Sequence, residues 1–413
     1  MFINIKLRKQ IMENGIISYS DKKLIVPDRP VILYIEGDGI GPELWQATRP
    51  VLDSAVRKAY NGSREIEWKE TLAGGKAFEK TGEYLPAETI AAIGKYKVAI
   101  KGPLMTPVGG GIRSINVALR QKFHLYACIR PVKYFNGVPS PVKNPDAVDM
   151  IIFRENMEDL YSGIEWKSGT GDSARILSFL KENMNISLPA DSGIGVKPIS
   201  ECHTKNIVRK AMEYAIEHHR KSVTIMHKGN IMKFTEGAFR DWAYEVALGE
   251  YREHVVTEKE ANDGADISGK VIVRDRIADN MFQEIIIKPA IHDVIIAPNL
   301  NGDYISDALA ALVGGLGIAP GANIGDDYAI FEATHGTAPD IAGKDMGNPG
   351  SLILSGEMLL RFLGWDKAAE LVLSAFEKTI SEGRVTGDLA AQMSGVKSLS
   401  CSEFSKAVIE NIG

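Results

Sequence analysis

Asp303 and Asp307 stand four residues apart in the run Asn299 to Asp307, which passes directly into the apolar residues 308–313. A helix starting at Asp303 puts Ile305, Leu309, Leu312 and Val313 on one face and both carboxylates on the other, and Gly314 with Gly315 ends it. Like charges one turn apart repel. The pair therefore reads either as a solvated acidic face or as ligands of a hard divalent cation, Mg²⁺ or Mn²⁺, which takes oxygen donors and one or two carboxylates. Asp275 and Asp279 repeat the spacing ahead of Met281 and Ile285, which predicts a second helix with an acidic pair. Positive charge gathers elsewhere. Lys101, Arg130 and Arg154 each follow an apolar run that reads as a strand, and Arg120 closes a short helical stretch. Ligands of open α/β sheets collect at strand ends, so these four side chains suit a pocket for a compound with several carboxylates, although one such charge alone is ordinarily just solvated. Lys228 also follows a strand, as a surface charge or, in a buried anionic site, a proton carrier.

The elements that must position these groups alternate between strand and helix. Residues 31–35 form an apolar strand, the turn GDGIGP follows at 37–42, and Leu44, Ala47, Val51, Leu52, Ala55 and Val56 then recur at helical spacing. The spacing is GxGxGP, not the GxGxxG of a dinucleotide-binding turn, and proline stands where a third glycine would allow close helix packing. A tight structural turn is the expected role. A strand at 98–100 leads through the triple glycine at 109–111 into a short helix capped near Ser114. Periodicity weakens over 161–200 around an amphipathic helix at 173–184, the mark of an inserted arm. A helix at 204–221 and a strand at 223–226 follow, then a strand around 329–332 and a loop, 333–343, rich in Gly, Thr and Pro, whose backbone N–H groups can approach phosphates. Helices at 352–363 and 365–382 close the chain.

Size and composition bound the function. A chain of 413 residues suits about two domains of roughly 150 residues. A net charge of −5 with mixed signs offers no basic patch for nucleic acid or an anionic membrane. Cys128, Cys202 and Cys401 are widely spaced without a CxxC pair, which fits a reducing cytoplasm rather than a disulfide framework or zinc site. Residues 1–15 carry Lys6, Arg8, Lys9 and Glu13 and read as no signal peptide, and no apolar run reaches the ~18 residues of a membrane span. The expectation is a soluble cytoplasmic protein with neither nucleic-acid nor membrane partners.

GDGIGPE at 37–43, IKGPL at 100–104, GGGIRSINVALRQ at 109–121, FRENMED at 153–159, HKGNIMKFTEG at 227–237, NLNGDYISDALAA at 299–311 and FEATHGTAP at 331–339 together resemble the bacterial isocitrate dehydrogenases of the isocitrate/isopropylmalate dehydrogenase family, from about residue 25 to the end. The resemblance implies an α/β fold distinct from the Rossmann fold. It comprises a large mixed-sheet domain (1–125 and 314–413), a small α/β domain (126–158 and 201–313) and an inserted clasp (159–200) that intertwines in a homodimer. It implies isocitrate binding by Ser114, Asn116, Arg120, Arg130 and Arg154, with Lys101 nearby, a catalytic pair Tyr161 and Lys228, and metal ligands Asp279, Asp303 and Asp307. Lys228 and Asp279 would reach the site from the second subunit. The implied reaction is the oxidative decarboxylation of isocitrate to 2-oxoglutarate in the tricarboxylic acid cycle, and Ser114 matches a position that a regulatory kinase phosphorylates in some relatives.

The coenzyme loop departs from the pattern of the NADP-dependent members. Where those carry Lys and Tyr after the HGTAP loop, and Tyr and Arg further on, this sequence reads Asp340, Ile341, Gly387 and Ala391. None of these side chains offers a donor or a positive charge to a 2′-phosphate, whereas Asp340 can accept hydrogen bonds from free ribose hydroxyls. The expected coenzyme is NAD⁺, with His335, Gly336, Thr337, Ala338, Pro339, Asp340, Ile341 and Asn348 around its adenosine half; Lys344 or Arg384 holding a phosphate is the alternative. Met105 departs as well, standing where threonine is common. Ser114 and Asn116 favour a γ-carboxylate over the isopropyl group of 3-isopropylmalate. Homoisocitrate differs by one methylene, worth only ~1–3 kcal/mol, and so remains a rival. A non-catalytic or RNA-binding relative fits poorly with the intact Tyr, Lys and Asp set and the acidic balance.

Overall fold

The computed structural model describes residues 15–20, 23–105 and 114–413; the triple glycine at 109–111 and residues 1–14 of the amino-terminal segment lie outside them. Eleven strands form one continuous sheet. In chain order they are β1 (Val31–Ile35), β2 (Glu67–Glu70), β3 (Val98–Lys101), β4 (Ala127–Lys133), β5 (Asp149–Glu155), β6 (Ser222–His227), β7 (Val255–Thr257), β8 (Val271–Ile277), β9 (Val294–Ala297), β10 (Pro320–Ile324) and β11 (Ala329–Ala333). Their order across the sheet is β7-β8-β6-β9-β5-β4-β10-β11-β3-β1-β2. Pairing is antiparallel at β5/β4, β4/β10 and β10/β11 and parallel elsewhere. The result is a mixed α/β sheet in which two parallel blocks meet through an antiparallel centre.

The central strands read as continuous apolar runs because helices cover both faces. Val294, Ile295, Ile296 and Ala297 are all fully buried. The expected helical face at Leu44, Ala47, Val51, Leu52, Ala55 and Val56 is buried along the helix Gly41–Tyr60. That helix packs against the last one, Cys401–Ile412, where Ser405 Oγ donates to the Ala47 carbonyl at 2.6 Å.

The turn at 37–42 proves structural. Gly39 has φ +60°, and a Cβ there would sit 1.9 Å from the Thr337 carbonyl oxygen, to which Ile40 N donates at 2.9 Å. The turn thus pins the 333–343 loop against the first strand. Asp38 holds a second loop, accepting from Gly75 N at 2.7 Å and Met105 N at 2.8 Å.

Three expectations need correction. Asp275 does not share a helix with Asp279: it lies in β8, paired with Ile225, and the helix begins only at Ala278. The alternation in Val271–Ile277 satisfies a sheet position that the acidic spacing obscured. The helix expected at 204–221 runs Glu201–Glu217, because the Ser200 hydroxyl accepts from His203 N and starts it earlier. Ser114 precedes the helix Ile115–Lys122 but its side chain makes no capping hydrogen bond.

The stretch at 159–200 contains the 3₁₀ turn Asp159–Ser162, a two-residue strand pair joining Glu165–Trp166 to Ile194–Gly195, and the helix Gly171–Met184. Phe179, Met184, Ile186 and Leu188 are exposed on it. No helix among the described residues is long and apolar enough to cross a membrane.

Candidate active site at the strand ends

The helix carrying the acidic pair spans Asn299–Leu312, one turn longer at its start than the apolar pattern indicated. Asn299 explains the extension: it is 1% exposed, its Oδ1 accepts from Arg154 Nε at 2.9 Å and its Nδ2 donates to the Glu158 carbonyl at 3.0 Å. Polar contacts, invisible to hydrophobic periodicity, hold the first turn. Ile305, Leu309, Leu312 and Val313 are buried as expected.

The opposite face meets β4 and β5. Arg154, at the end of β5 and 1% exposed, pairs with Asp303. Arg130, on β4, donates to Ser306 Oγ at 2.6 Å and Asp307 at 3.2 Å, and lies 3.6 Å from Asp303. The Tyr161 hydroxyl donates to the other oxygen of Asp303, and the Arg154 guanidinium lies 4.8 Å from the centre of the tyrosine ring. Burial alone would raise the Asp303 carboxyl, but Arg154, the Tyr161 hydroxyl and Arg130 outweigh it and hold the group below the usual carboxylate range. Asp307 is shifted up, by burial first and then by Asp303, against the pull of Arg130. Tyr161 is raised by burial and by its bond to Asp303, so its hydroxyl keeps its proton at neutral pH.

Lys101 and Arg120 form the other half of the cluster around a residue the sequence reading passed over. Glu332, on β11, takes Lys101 Nζ at 2.6 Å on one oxygen and Arg120 Nη2 at 3.0 Å on the other, which also accepts from Asn323 Nδ2 at 2.6 Å. It is 5% exposed, and although burial pushes its carboxyl up, Lys101, Arg120 and Asn323 drive it far below the ordinary value. A single acid inside the apolar strand AIFEA was the available signal, since such a residue needs a buried cation. Three buried polar atoms in the region have no partner among the described residues: Arg120 Nε, Arg154 Nη2 and Asn116 Oδ1. Buried polar groups are normally satisfied, so these mark where a polar ligand would sit.

Lys228 and Asp279 pair with each other instead of joining Asp303 and Asp307. Among the described residues no three metal-ligating side chains converge. The topology shows why: Asp279 follows β8 and Asp303 follows β9, and β6 lies between those strands, an offset of about 10 Å. The expected ligand trio is therefore not assembled within one chain.

The 333–343 loop lies across the sheet from these groups. Ala338 has φ +41°, Pro339–Ile341 form a 3₁₀ turn, and Asp340 is exposed with no partner for its carboxylate among the described residues. Lys344 Nζ donates to the Asp340 carbonyl at 2.8 Å, whereas Arg384 is engaged by Glu410 at 2.7 Å. Of the two alternative phosphate cations, Lys344 stands beside the loop and Arg384 is held by Glu410. Glu43, from the GDGIGPE motif, accepts from Gly343 N, Asp345 N and Gly347 N at 3.1, 3.3 and 3.0 Å and fixes the next segment. Asn348 donates to Asp388 at 2.9 Å, and His335 Nε2 is a further buried atom without a hydrogen-bond partner among the described residues.

A mixed α/β sheet that gathers Lys101, Arg120, Arg130 and Arg154 against Glu332, Asp303 and Asp307 defines the class: an α/β protein with a largely buried ionic cluster on its central strands. The family follows from comparison. Residues 31–408 match the isocitrate/isopropylmalate dehydrogenase model, and this chain belongs to that family. A curated isocitrate dehydrogenase [NADP] of Staphylococcus aureus (strain MSSA476) is 53% identical, covering 96% of this chain and 99% of its own. Proteins of the same name from Archaeoglobus fulgidus and Helicobacter pylori are 53% and 50% identical over 97% and 100% of this chain. Among solved structures, isocitrate dehydrogenase from Methylococcus capsulatus superposes with a TM-score of 0.77 at 35% identity, covering 92% of this chain and 99% of its own. All three curated relatives carry NADP in their names, so the comparisons do not support the NAD⁺ expectation and favour the alternative.

Proposed function

We propose that this chain catalyses the oxidative decarboxylation of isocitrate to 2-oxoglutarate and CO₂, with a divalent cation and a nicotinamide dinucleotide. The charge balance of the cleft carries this reading. Lys101, Arg120, Arg130 and Arg154 supply four positive charges against three negative ones from Glu332, Asp303 and Asp307. One positive charge is left over, and a divalent cation at Asp303 and Asp307 makes it three, matching the three carboxylates of isocitrate. The unpartnered atoms of Arg120, Arg154 and Asn116 fit the same ligand.

Asp303 and Asp307 would hold the cation, which when bound acidifies the substrate's C2 hydroxyl and draws electrons as a Lewis acid while the nicotinamide receives hydride. Arg120, Arg130 and Arg154 fix the carboxylates, and Ser114 and Asn116 orient the one that distinguishes isocitrate from its apolar rivals. Tyr161, kept protonated by burial and its bond to Asp303, delivers its proton to C3 after CO₂ leaves. Lys228, through a water, helps to remove the proton from the C2 hydroxyl. Following the resemblance, we assign Lys228 and Asp279, which pair with each other and not with Asp303, to the cleft of a second copy, in a homodimer joined through the 159–200 clasp. The large domain of this reading comprises residues 1–125 and 314–413, and the small one 126–158 and 201–313.

For the coenzyme we propose NAD⁺, with Asp340 accepting from the ribose hydroxyls and Ile341, Gly387 and Ala391 offering nothing to a phosphate. NADP⁺ is the second reading, favoured by the relatives' names and by the position of Lys344. Initial rates with isocitrate and Mg²⁺, comparing kcat/KM for the two coenzymes in one preparation, test both parts. No rate with either coenzyme refutes the substrate and turns attention to homoisocitrate.

A further inference from the structure

Between Tyr161 and Lys228 lies a buried ionic cluster that the chemistry above does not use. Lys197, within the inserted 159–200 stretch, places its ammonium against two carboxylates at once: Asp159 Oδ1 at 2.5 Å and Glu236 Oε1 at 3.0 Å. Asp159 is 1% exposed and Glu236 is fully buried. Each carboxylate grips a different part of the active machinery. Asp159 opens the turn Asp159–Ser162 that carries Tyr161, two residues on. Its carboxylate accepts from Leu160 N at 2.7 Å and, through its other oxygen, from Leu300 N at 3.1 Å. It holds φ +69°, a strained setting for a residue with a side chain, and its own N–H donates to the carbonyl of Pro198, next to Lys197, at 3.0 Å. Glu236 Oε2 accepts from the backbone N–H of Lys228 at 2.5 Å and from Asn301 Nδ2 at 2.8 Å, two residues before Asp303.

We propose that Lys197 is a positioning residue for catalysis: its ammonium locks Asp159 and Glu236 and thereby sets the Tyr161 turn, the Lys228 peptide and the start of the Asp303 helix in register with one another. The inserted stretch then shapes the reaction centre as well as any contact with a second copy. This role rests on the reaction proposed above. Lys197 touches no reacting atom, so its loss acts through geometry, and two buried carboxylates left without their counter-charge cannot both stay ionised in place. Oε1 of Glu236 has no hydrogen bond, so Lys197 is its sole compensation among the described residues.

The test is the Lys197→Met chain compared with the unmodified protein and Lys197→Arg, with rates normalised to the folded fraction from circular dichroism. Lys197→Met is expected to lower kcat about 100-fold, the scale of an ångström-sized misplacement, with KM for isocitrate changed less than about threefold, because the arginines that bind substrate are untouched. Lys197→Arg, which keeps a cation in reach of both carboxylates, should restore kcat to within about tenfold of the unmodified rate. If Lys197→Met does not fold, Glu236→Gln, similar in shape but uncharged, is held to the same kcat loss at constant KM. A kcat within threefold of the unmodified chain, or an arginine variant as slow as the methionine one, overturns the assignment. An unmodified chain inactive on isocitrate instead refutes the proposed reaction.

Discussion

Asp340 and Lys344 occupy the same turn and make opposite demands on the coenzyme. If the Asp340 carboxylate receives both ribose hydroxyls, each charge-assisted hydrogen bond is worth about 1.5 kcal/mol, the low end for a charged acceptor because the group is exposed. Two such bonds amount to ~3 kcal/mol, or roughly a 100-fold preference for NAD⁺ in kcat/KM. Asp340→Lys removes both and sets an ammonium beside that of Lys344, so the ratio should swing toward NADP⁺ by at least ~100-fold, mostly through KM. Lys344→Gln should leave the NAD⁺ rate within about twofold, since its present bond goes only to a backbone carbonyl. The assay is initial-rate kinetics with both coenzymes at saturating isocitrate and Mg²⁺ across the three chains. An unmodified chain that prefers NADP⁺ and loses the preference on Lys344→Gln would refute the reasoning, showing that Lys344 clamps the phosphate despite Asp340.

Four further outcomes follow from the geometry. Tyr161→Phe should cut 2-oxoglutarate formation by ~10²–10³-fold while reduction of added oxalosuccinate to isocitrate survives within about threefold, and equal losses in the two assays would remove Tyr161 as the C3 acid. Glu332→Gln leaves Lys101 and Arg120 buried without their counter-ion and should cost about 3–5 kcal/mol in urea unfolding at pH 7. The folded-state value of Glu332 is depressed, so its stabilisation is present above the ordinary unfolded carboxylate value and is lost as pH falls below that value; the variant should show a flatter acid limb, and an unchanged limb would contradict the pairing. Glu43→Gln loosens three backbone N–H bonds in the 343–347 segment and should raise KM for the coenzyme roughly tenfold with KM for isocitrate unchanged, both read from steady-state kinetics. Ser114→Asp sets a negative charge at a side chain that caps nothing, so it should abolish measurable isocitrate turnover while leaving the thermal midpoint within a few degrees; retained activity would separate Ser114 from the substrate.

How much of this was legible in the sequence depended on whether a residue's role left a periodic trace. The acidic face at 303–307 was readable because Ile305, Leu309 and Leu312 repeat with the helix and the core answers that repeat. The same logic failed for Asp275, because i, i+4 spacing of acids says nothing about whether the chain between them is helical; its carboxylate serves His227 and Tyr244 from a strand. Arg154 could be placed at a strand end, whereas Arg130, expected after its strand, lies in the middle of β4 because the strand runs on through Pro131 to Lys133, and the partners of both came from distant parts of the chain, 145 to 177 residues away. Glu332 escaped notice because its two cations lie more than 200 residues earlier. The GxGxGP turn was readable as structural from its glycine spacing and its proline, yet the close approach of Gly39 to Thr337 is a tertiary fact. Pairing across such separations carries no local signature, and it is where the charge balance of the cleft is decided.

The order of strands across the sheet also bears on how the polypeptide is made. β3 emerges early and pairs with β1, but its other edge is completed by β11, and the helix Gly41–Tyr60 is covered by the helix Cys401–Ile412. During translation the block from β4 to β9 can pair within itself, except at the outer edge of β4, which waits for β10, while β1 to β3 still wait for their later partners. Until residue 333 leaves the ribosome the β3 edge stays bare, the condition that invites edge-to-edge association, and the apolar face of Gly41–Tyr60 waits longer still, for Cys401–Ile412. A nascent chain of this architecture is most exposed to aggregation at its beginning and is relieved only near its end, so stop codons anywhere before the last helix should yield insoluble or chaperone-bound fragments even when the whole middle block is intact.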